Sequence, residues 1–159
     1  MLKFTTYGVP IPQGSLRAFT PKGWKRAILT SDNVQLKPWR KDVVDAAQEA
    51  LGGSPPFEDV GLELHVLFYL PRPLSAPKRV TEPAKKPDVD KLLRAVMDAL
   101  TAAGVWRDDA QVIVTFARKA FAAGVHDPMG AGGIPRAQIT VRLAQAPVLS
   151  QPSLLEAQW

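Results

Sequence analysis

A chain of 159 residues, 46% hydrophobic and 22% charged, has the size and composition of one globular domain with its own core. The absence of cysteine excludes a disulfide framework, a thiolate zinc site and thiol chemistry, and suits a reducing compartment. A net charge of +5 and an isoelectric point near 9.7 point to an anionic partner, with the weight of that signal resting on where the charges fall.

Residues 2–9 (LKFTTYGV) read as a strand stopped by Pro10-Ile11-Pro12-Gln13-Gly14. They build no signal-peptide core, and no run approaches the length of a membrane span, so a soluble, intracellular protein is expected, with no membrane partner. Segment 15–36 interleaves Arg17, Lys22, Lys25 and Arg26 with Phe19 and Trp24, around a short strand near 27–30. Such a mixture grips phosphates and stacks on bases; a surface loop pinned by one buried Trp has the same composition.

From Pro38 the apolar residues Val43, Val44, Ala46, Ala47, Ala50 and Leu51 recur at helical spacing until Gly52-Gly53 ends the run. Gly61–Leu70 reads as a strand with Leu62, Leu64, Val66, Phe68 and Leu70 on one face. His65 falls on the other, more polar face, where a structural or exposed role outweighs metal binding. Pro71–Pro87 is a long connection without periodicity. Asp88–Ala103 is the clearest helix, with Leu92, Leu93, Val96, Ala99, Leu100 and Ala103 as its stripe and Gly104 as its stop. Val112–Ala120 and Ala137–Leu143 read as strands flanking a Gly-rich loop, His126–Pro135. The predicted fold class is α+β: a single mixed domain over 1–143, a small sheet with two main helices packed on it, and a loosely ordered tail over 144–159.

Charge is concentrated before and into the second helix, where Arg72, Lys78, Arg79, Lys85, Lys86, Lys91 and Arg94 meet little acid until Asp88 and Asp90. Either aspartate can cap the helix, but capping needs only one. Clustered carboxylates suit Mg²⁺, a hard cation held by one or two of them with water and phosphate. A calcium loop counted from Asp88 would need glycine and glutamate where Leu93 and Ala99 stand, and two histidines are too few for a zinc cluster. Arg94 lies one turn beyond Asp90 and Asp98 one turn beyond Arg94, so Arg94 can clamp a phosphate or simply pair with Asp98. Asp108-Asp109 is the third acidic position. Asp90 to Ala103 spans roughly 20 Å of helix, and Gly104 to Asp109 reaches at most about 17 Å when extended. Asp109 therefore regains the helix start only if the chain runs straight back; otherwise a second subunit must complete the site.

The run Lys86-Pro87-Asp88-Val89-Asp90-Lys91-Leu92-Leu93-Arg94, then Asp98-Ala99-Leu100, then Gly104-Val105-Trp106-Arg107-Asp108-Asp109-Ala110-Gln111-Val112, resembles the RusA family of Holliday junction resolvases. The resemblance implies a homodimeric nuclease, often phage- or prophage-borne, that cuts four-way DNA junctions symmetrically with Mg²⁺, or Mn²⁺ in its place. It implies catalytic, metal-holding aspartates at Asp88, Asp90 and Asp109. Asp98, placed to orient the Arg94 guanidinium, and Asp108 are read from their positions as supporting carboxylates. A family lysine falls on Arg94, which keeps the charge but cannot exchange a proton near neutral pH. Lys85, Lys86 and Lys91, with Arg17, Lys22, Lys25 and Arg26, would hold DNA phosphates. Phe19, Trp24 or Trp106 would stack on unpaired bases, Trp106 being equally suited to the core. Two other readings stay open: a junction- or single-strand-binding accessory protein without catalysis, and a broader flap or branched-DNA nuclease.

Overall fold

A computed structural model describes residues 1–14, 16–19, 23, 28–31, 33–124, 127 and 133–145. In chain order the elements are β1 (Leu2–Tyr7), β2 (Leu16–Phe19), β3 (Ile28–Ser31), α1 (Leu36–Leu51), β4 (Leu62–Leu70), α2 (Val89–Ala102), a short 3-10 turn (Asp109–Gln111), β5 (Val112–Phe121) and β6 (Arg136–Leu143). Four strands form a sheet in the order β1-β6-β4-β5, while β2 and β3 pair separately. β1 with β6 and β6 with β4 are antiparallel; β4 with β5 is parallel.

Alternation fixes which face of the sheet is covered. Leu62, Leu64, Val66 and Phe68 of β4 are fully buried beneath both helices. α1 contributes Leu36, Trp39, Val43 and Ala47, and α2 contributes Leu92, Ala95, Val96, Ala99 and Leu100. α1 begins two residues before Pro38, which sits within the first turn where its missing N–H costs nothing. Gly52 closes α1 in a left-handed conformation, at φ 56°. The opposite face of the sheet carries Glu63, bridged by Arg142 through two 2.9 Å hydrogen bonds, and His65, 2.5 Å from Glu63 and stacked near Phe116. The structural role expected for His65 therefore holds.

α2 is closed by Gly104 (φ 75°), with the Val105 N–H donating to Leu100 O at 3.1 Å. Trp106 then turns inward. It is 2% exposed, its Nε1 donates to Thr101 Oγ1 at 2.7 Å, and its backbone bridges to Phe57. Of the two roles open to Trp106, the structure gives it the core one.

The parallel pairing of β4 and β5 dictates the position of α2. The helix must return from the C-terminal end of β4 to the N-terminal end of β5, so its two ends lie at opposite ends of the sheet. With 14 residues it spans about 21 Å. No helix among the described residues is long and apolar enough to cross a membrane.

Candidate functional site

At the start of α2, Asp88 holds the N-cap position in extended conformation (φ −73°, ψ 137°), yet its carboxylate makes no cap hydrogen bond. It pairs instead with Lys91 Nζ at 3.3 Å, both side chains 45% exposed. Asp90 lies exposed in the first turn, where the helix dipole favours negative charge, and Arg94 lies exposed one turn on. The preceding segment is held from below. Lys119 of β5 donates to Lys85 O at 3.0 Å and Pro87 O at 2.8 Å, and the Lys86-Pro87 peptide is cis. From the other side the Gln13 N–H donates to Lys91 O at 2.9 Å, and Gln13 Oε1 is buried without a partner. Beside this helix end lies a largely apolar cavity of about 530 Å³, bordered by Lys85, Lys86, Pro87, Leu70 and Phe121.

The other acidic pair stands at the far end of α2. Asp108 Oδ1 accepts from the Ala110 N–H at 2.7 Å, and Gln111 Oε1 accepts from the Arg107 and Asp108 N–H groups at 3.0 and 3.3 Å. This reciprocal capping box explains the Asp-Asp-Ala-Gln sequence: the first aspartate and the glutamine secure the turn, and Asp109 is left facing outward. Gln111 Nε2 also donates to Phe57 O at 3.1 Å, tying the turn to the chain before β4. Arg40, Asp98, Thr101, Arg107, Asp108 and Asp109 line an open depression of about 360 Å³.

The structure therefore brings Asp88, Asp90, Lys91 and Arg94 to one end of α2, with Lys85 and Lys86 beside them, and Asp98, Asp108 and Asp109 to the other. Asp98, which shares its depression with Asp109, lies about 12 Å beyond Asp90 along the helix axis. Among the described residues no three His, Asp or Glu side chains lie close enough to share a metal ion. The straight return of the chain along α2 does not occur, because Val105 and Trp106 are drawn into the core and against Phe57. The Arg94–Asp98 pair is also corrected: Asp98 meets Arg40 of α1 at 3.4 Å, so Arg94 is not drawn along the helix towards it. Arg17 falls in β2, while Lys22, Trp24, Lys25 and Arg26 lie outside the described residues, as does the tail from 146. Sequence reasoning missed Lys119, whose only signal was a lysine in phase with Thr115 and Ala117 on the helix-facing side of β5.

The family model described as endodeoxyribonuclease RusA matches residues 8–142. The uncharacterized protein YqaN of Bacillus subtilis (strain 168) is 28% identical over 120 residues, covering 70% of this chain and 82% of that protein. The matched span includes both acidic ends of α2 and the whole of β5.

Proposed function

This chain belongs to the RusA endodeoxyribonuclease family, and from that premise we propose that it is a homodimeric, divalent-metal-dependent nuclease that resolves four-way DNA junctions by two symmetric phosphodiester hydrolyses. The observation carrying this reading is the acid at the start of α2 that the helix cap does not use. Asp88 occupies a capping position without capping, and Asp90 stands exposed beside it, in the midst of lysines.

The donor chemistry fits Mg²⁺. Asp88 and Asp90 are hard oxygen ligands within one helical turn, and Mg²⁺ needs only one or two carboxylates when water and phosphate complete its shell. Asp109 stands at the other end of α2 within its own copy, so it would join the set only from the second subunit of the dimer. Bound there, Mg²⁺ or Mn²⁺ supplies Lewis-acid polarisation of the scissile phosphate. The chain's own residues do the rest. Arg94, permanently charged, offsets the negative charge that builds on the phosphoryl oxygens as water bonds to phosphorus and the bond to the sugar oxygen breaks. It takes no proton in that step. Lys85, Lys86 and Lys91 hold neighbouring phosphates, and two equivalent sites related by a dimer axis match the near two-fold symmetry of the junction.

The test is Asp90→Asn against a synthetic four-way junction, with Mg²⁺ titrated. Retained binding with cleavage reduced by about a hundredfold or more is expected; undiminished cutting overturns the proposal. Arg94 in place of the family lysine favours a second reading, a junction-binding accessory protein. That reading requires tight junction binding with no Mg²⁺-dependent nicking by the unaltered protein.

A further inference from the structure

We propose that the apolar cavity beside the start of α2 receives an unpaired nucleobase, from the DNA strand whose phosphates Lys85 and Lys86 hold. The proposal rests on the nuclease reading and adds to it a subsite for a base. Trp106, one of the residues expected to stack on such bases, is spent in the core. At the Asp88 end of the domain this cavity offers the apolar surface instead. Asp88 follows Pro87, which lines the cavity, so a captured nucleotide lies beside the acid proposed to act on the backbone. At a crossover the exchanging strands break their own stacking, and a base leaves the helix there at a smaller cost than within a duplex.

The cavity, about 530 Å³, has the size that small organic ligands occupy. Leu70 and Phe121, at the ends of β4 and β5, line it and are 4% and 5% exposed. Most of the remaining wall comes from the connection 71–87, which contributes Pro71, Pro73, Pro77, Pro83 and Pro87. Proline has no N–H to leave orphaned, so such a wall can be dehydrated at little cost and presents apolar rings to a heterocycle. The wall is also preformed. The Arg72 guanidinium donates to Pro77 O at 2.8 Å and to Ala76 O and Val80 O, and lies 5.3 Å over the Phe121 ring. Further along, Glu82 meets Arg118 at 3.3 Å, and Lys119 holds the Lys85 and Pro87 carbonyls. The end of β5 therefore fixes the connection at several points, and a ligand meets a site that needs little further ordering.

Charge complementarity selects the occupant. Lys85 and Lys86 border the cavity and are exposed, so its mouth is cationic while its interior is apolar. A nucleotide matches both, carrying a flat heterocycle beside an anionic phosphate. Ser75 and Glu82, also in the lining, offer a hydroxyl and a carboxylate to the edge of the base. An apolar side chain of a protein partner would fill the walls and leave both lysines unanswered.

Two measurements test this. In the first, deoxynucleoside 5′-monophosphates are titrated into the protein while NMR follows the methyl signals of Leu70 and Val80, with deoxyribose 5-phosphate as the base-free probe. Saturable shifts of both residues are expected from at least one nucleotide and not from the sugar phosphate. No shift, or the same shift from the sugar phosphate, overturns the inference, whether or not the protein cuts DNA. The second measurement places 2-aminopurine, one position at a time, around the crossover of a synthetic four-way junction bound without divalent metal. A several-fold rise in its fluorescence is expected at one position, as that base leaves the stack. Ala76→Phe combined with Ala84→Phe fills the cavity from two lining positions and should abolish the rise while anisotropy shows the junction still bound. Leu74→Phe, fully exposed on the same connection and outside the cavity, should keep it. A rise that survives the filled cavity, or no rise in a bound junction, overturns the inference. Absence of junction binding by the wild-type chain would instead remove the nuclease reading, leaving the nucleotide titration to decide the base site.

Discussion

Asp108 and Asp109 are neighbours of identical chemistry with opposite duties, and substitution separates them. Asp108 is consumed by the capping box, its carboxylate satisfying the Ala110 N–H while Gln111 answers from the other side. Asp108→Ala is expected to cost about 1 kcal/mol, a fall of roughly 2–4 °C in Tm for a chain of this size, measured by thermal denaturation. Asp109 is exposed, so Asp109→Ala should leave Tm within about a degree and abolish junction cleavage. Equal Tm losses in both variants would mean that Asp109 is also structural. The sequence put the two side by side without distinguishing them. What separates them is that Gln111 reaches back to the Arg107 and Asp108 N–H groups, and this became legible only once the turn was seen to be 3-10.

At the scale of elements, α2 and β4 were readable because their patterns are unmixed: an apolar stripe stopped by glycine, and strict alternation. The start of β6 was not. Arg136 reads as a surface residue, yet it is 1% exposed, its guanidinium bonding both oxygens of Asp127 across the Gly-rich loop and stacking 4.0 Å over the Tyr69 ring. Asp127 Oδ2 also accepts from the Ala123 N–H at 2.9 Å, so the pair fixes the turn after β5 to the start of β6, across the intervening β4. No periodicity announces a partnership made across a loop. Arg136→Met would strand a buried carboxylate, and a loss of about 3–5 kcal/mol in urea denaturation is expected. A loss below about 1 kcal/mol would mean that the carboxylate finds water instead. On the same face of the sheet, the hydrogen bond from Arg142, followed by that from His65, holds the Glu63 carboxyl at about 2, well below its ordinary 4.5. A lowered folded-state value gives stability that is present above pH 4.5 and lost as the pH falls towards 2. Glu63→Gln should therefore flatten the decline of Tm between pH 4.5 and 2, in melts taken across that window. An unchanged slope would show that this tie between β4 and β6 does not govern acid sensitivity.

For the whole molecule, strand order mattered more than any single element. Alternation says which residues of β5 share a face, but not that β5 lies parallel to β4 at the sheet edge; that pairing sends the two ends of α2 to opposite ends of the domain. The charge is distributed along the same axis, with Lys85 and Lys86 exposed beside Asp88. If these lysines hold DNA backbone, each contact contributes about 0.9 to the slope of log K against log salt. Lys85→Ala with Lys86→Ala should then lower the magnitude of that slope by about two and weaken junctions and linear duplex alike. Fluorescence anisotropy between low and physiological salt measures both effects. A changed affinity with an unchanged slope would place the lysines against bases or protein instead, because only phosphate neutralisation releases counterions from the duplex.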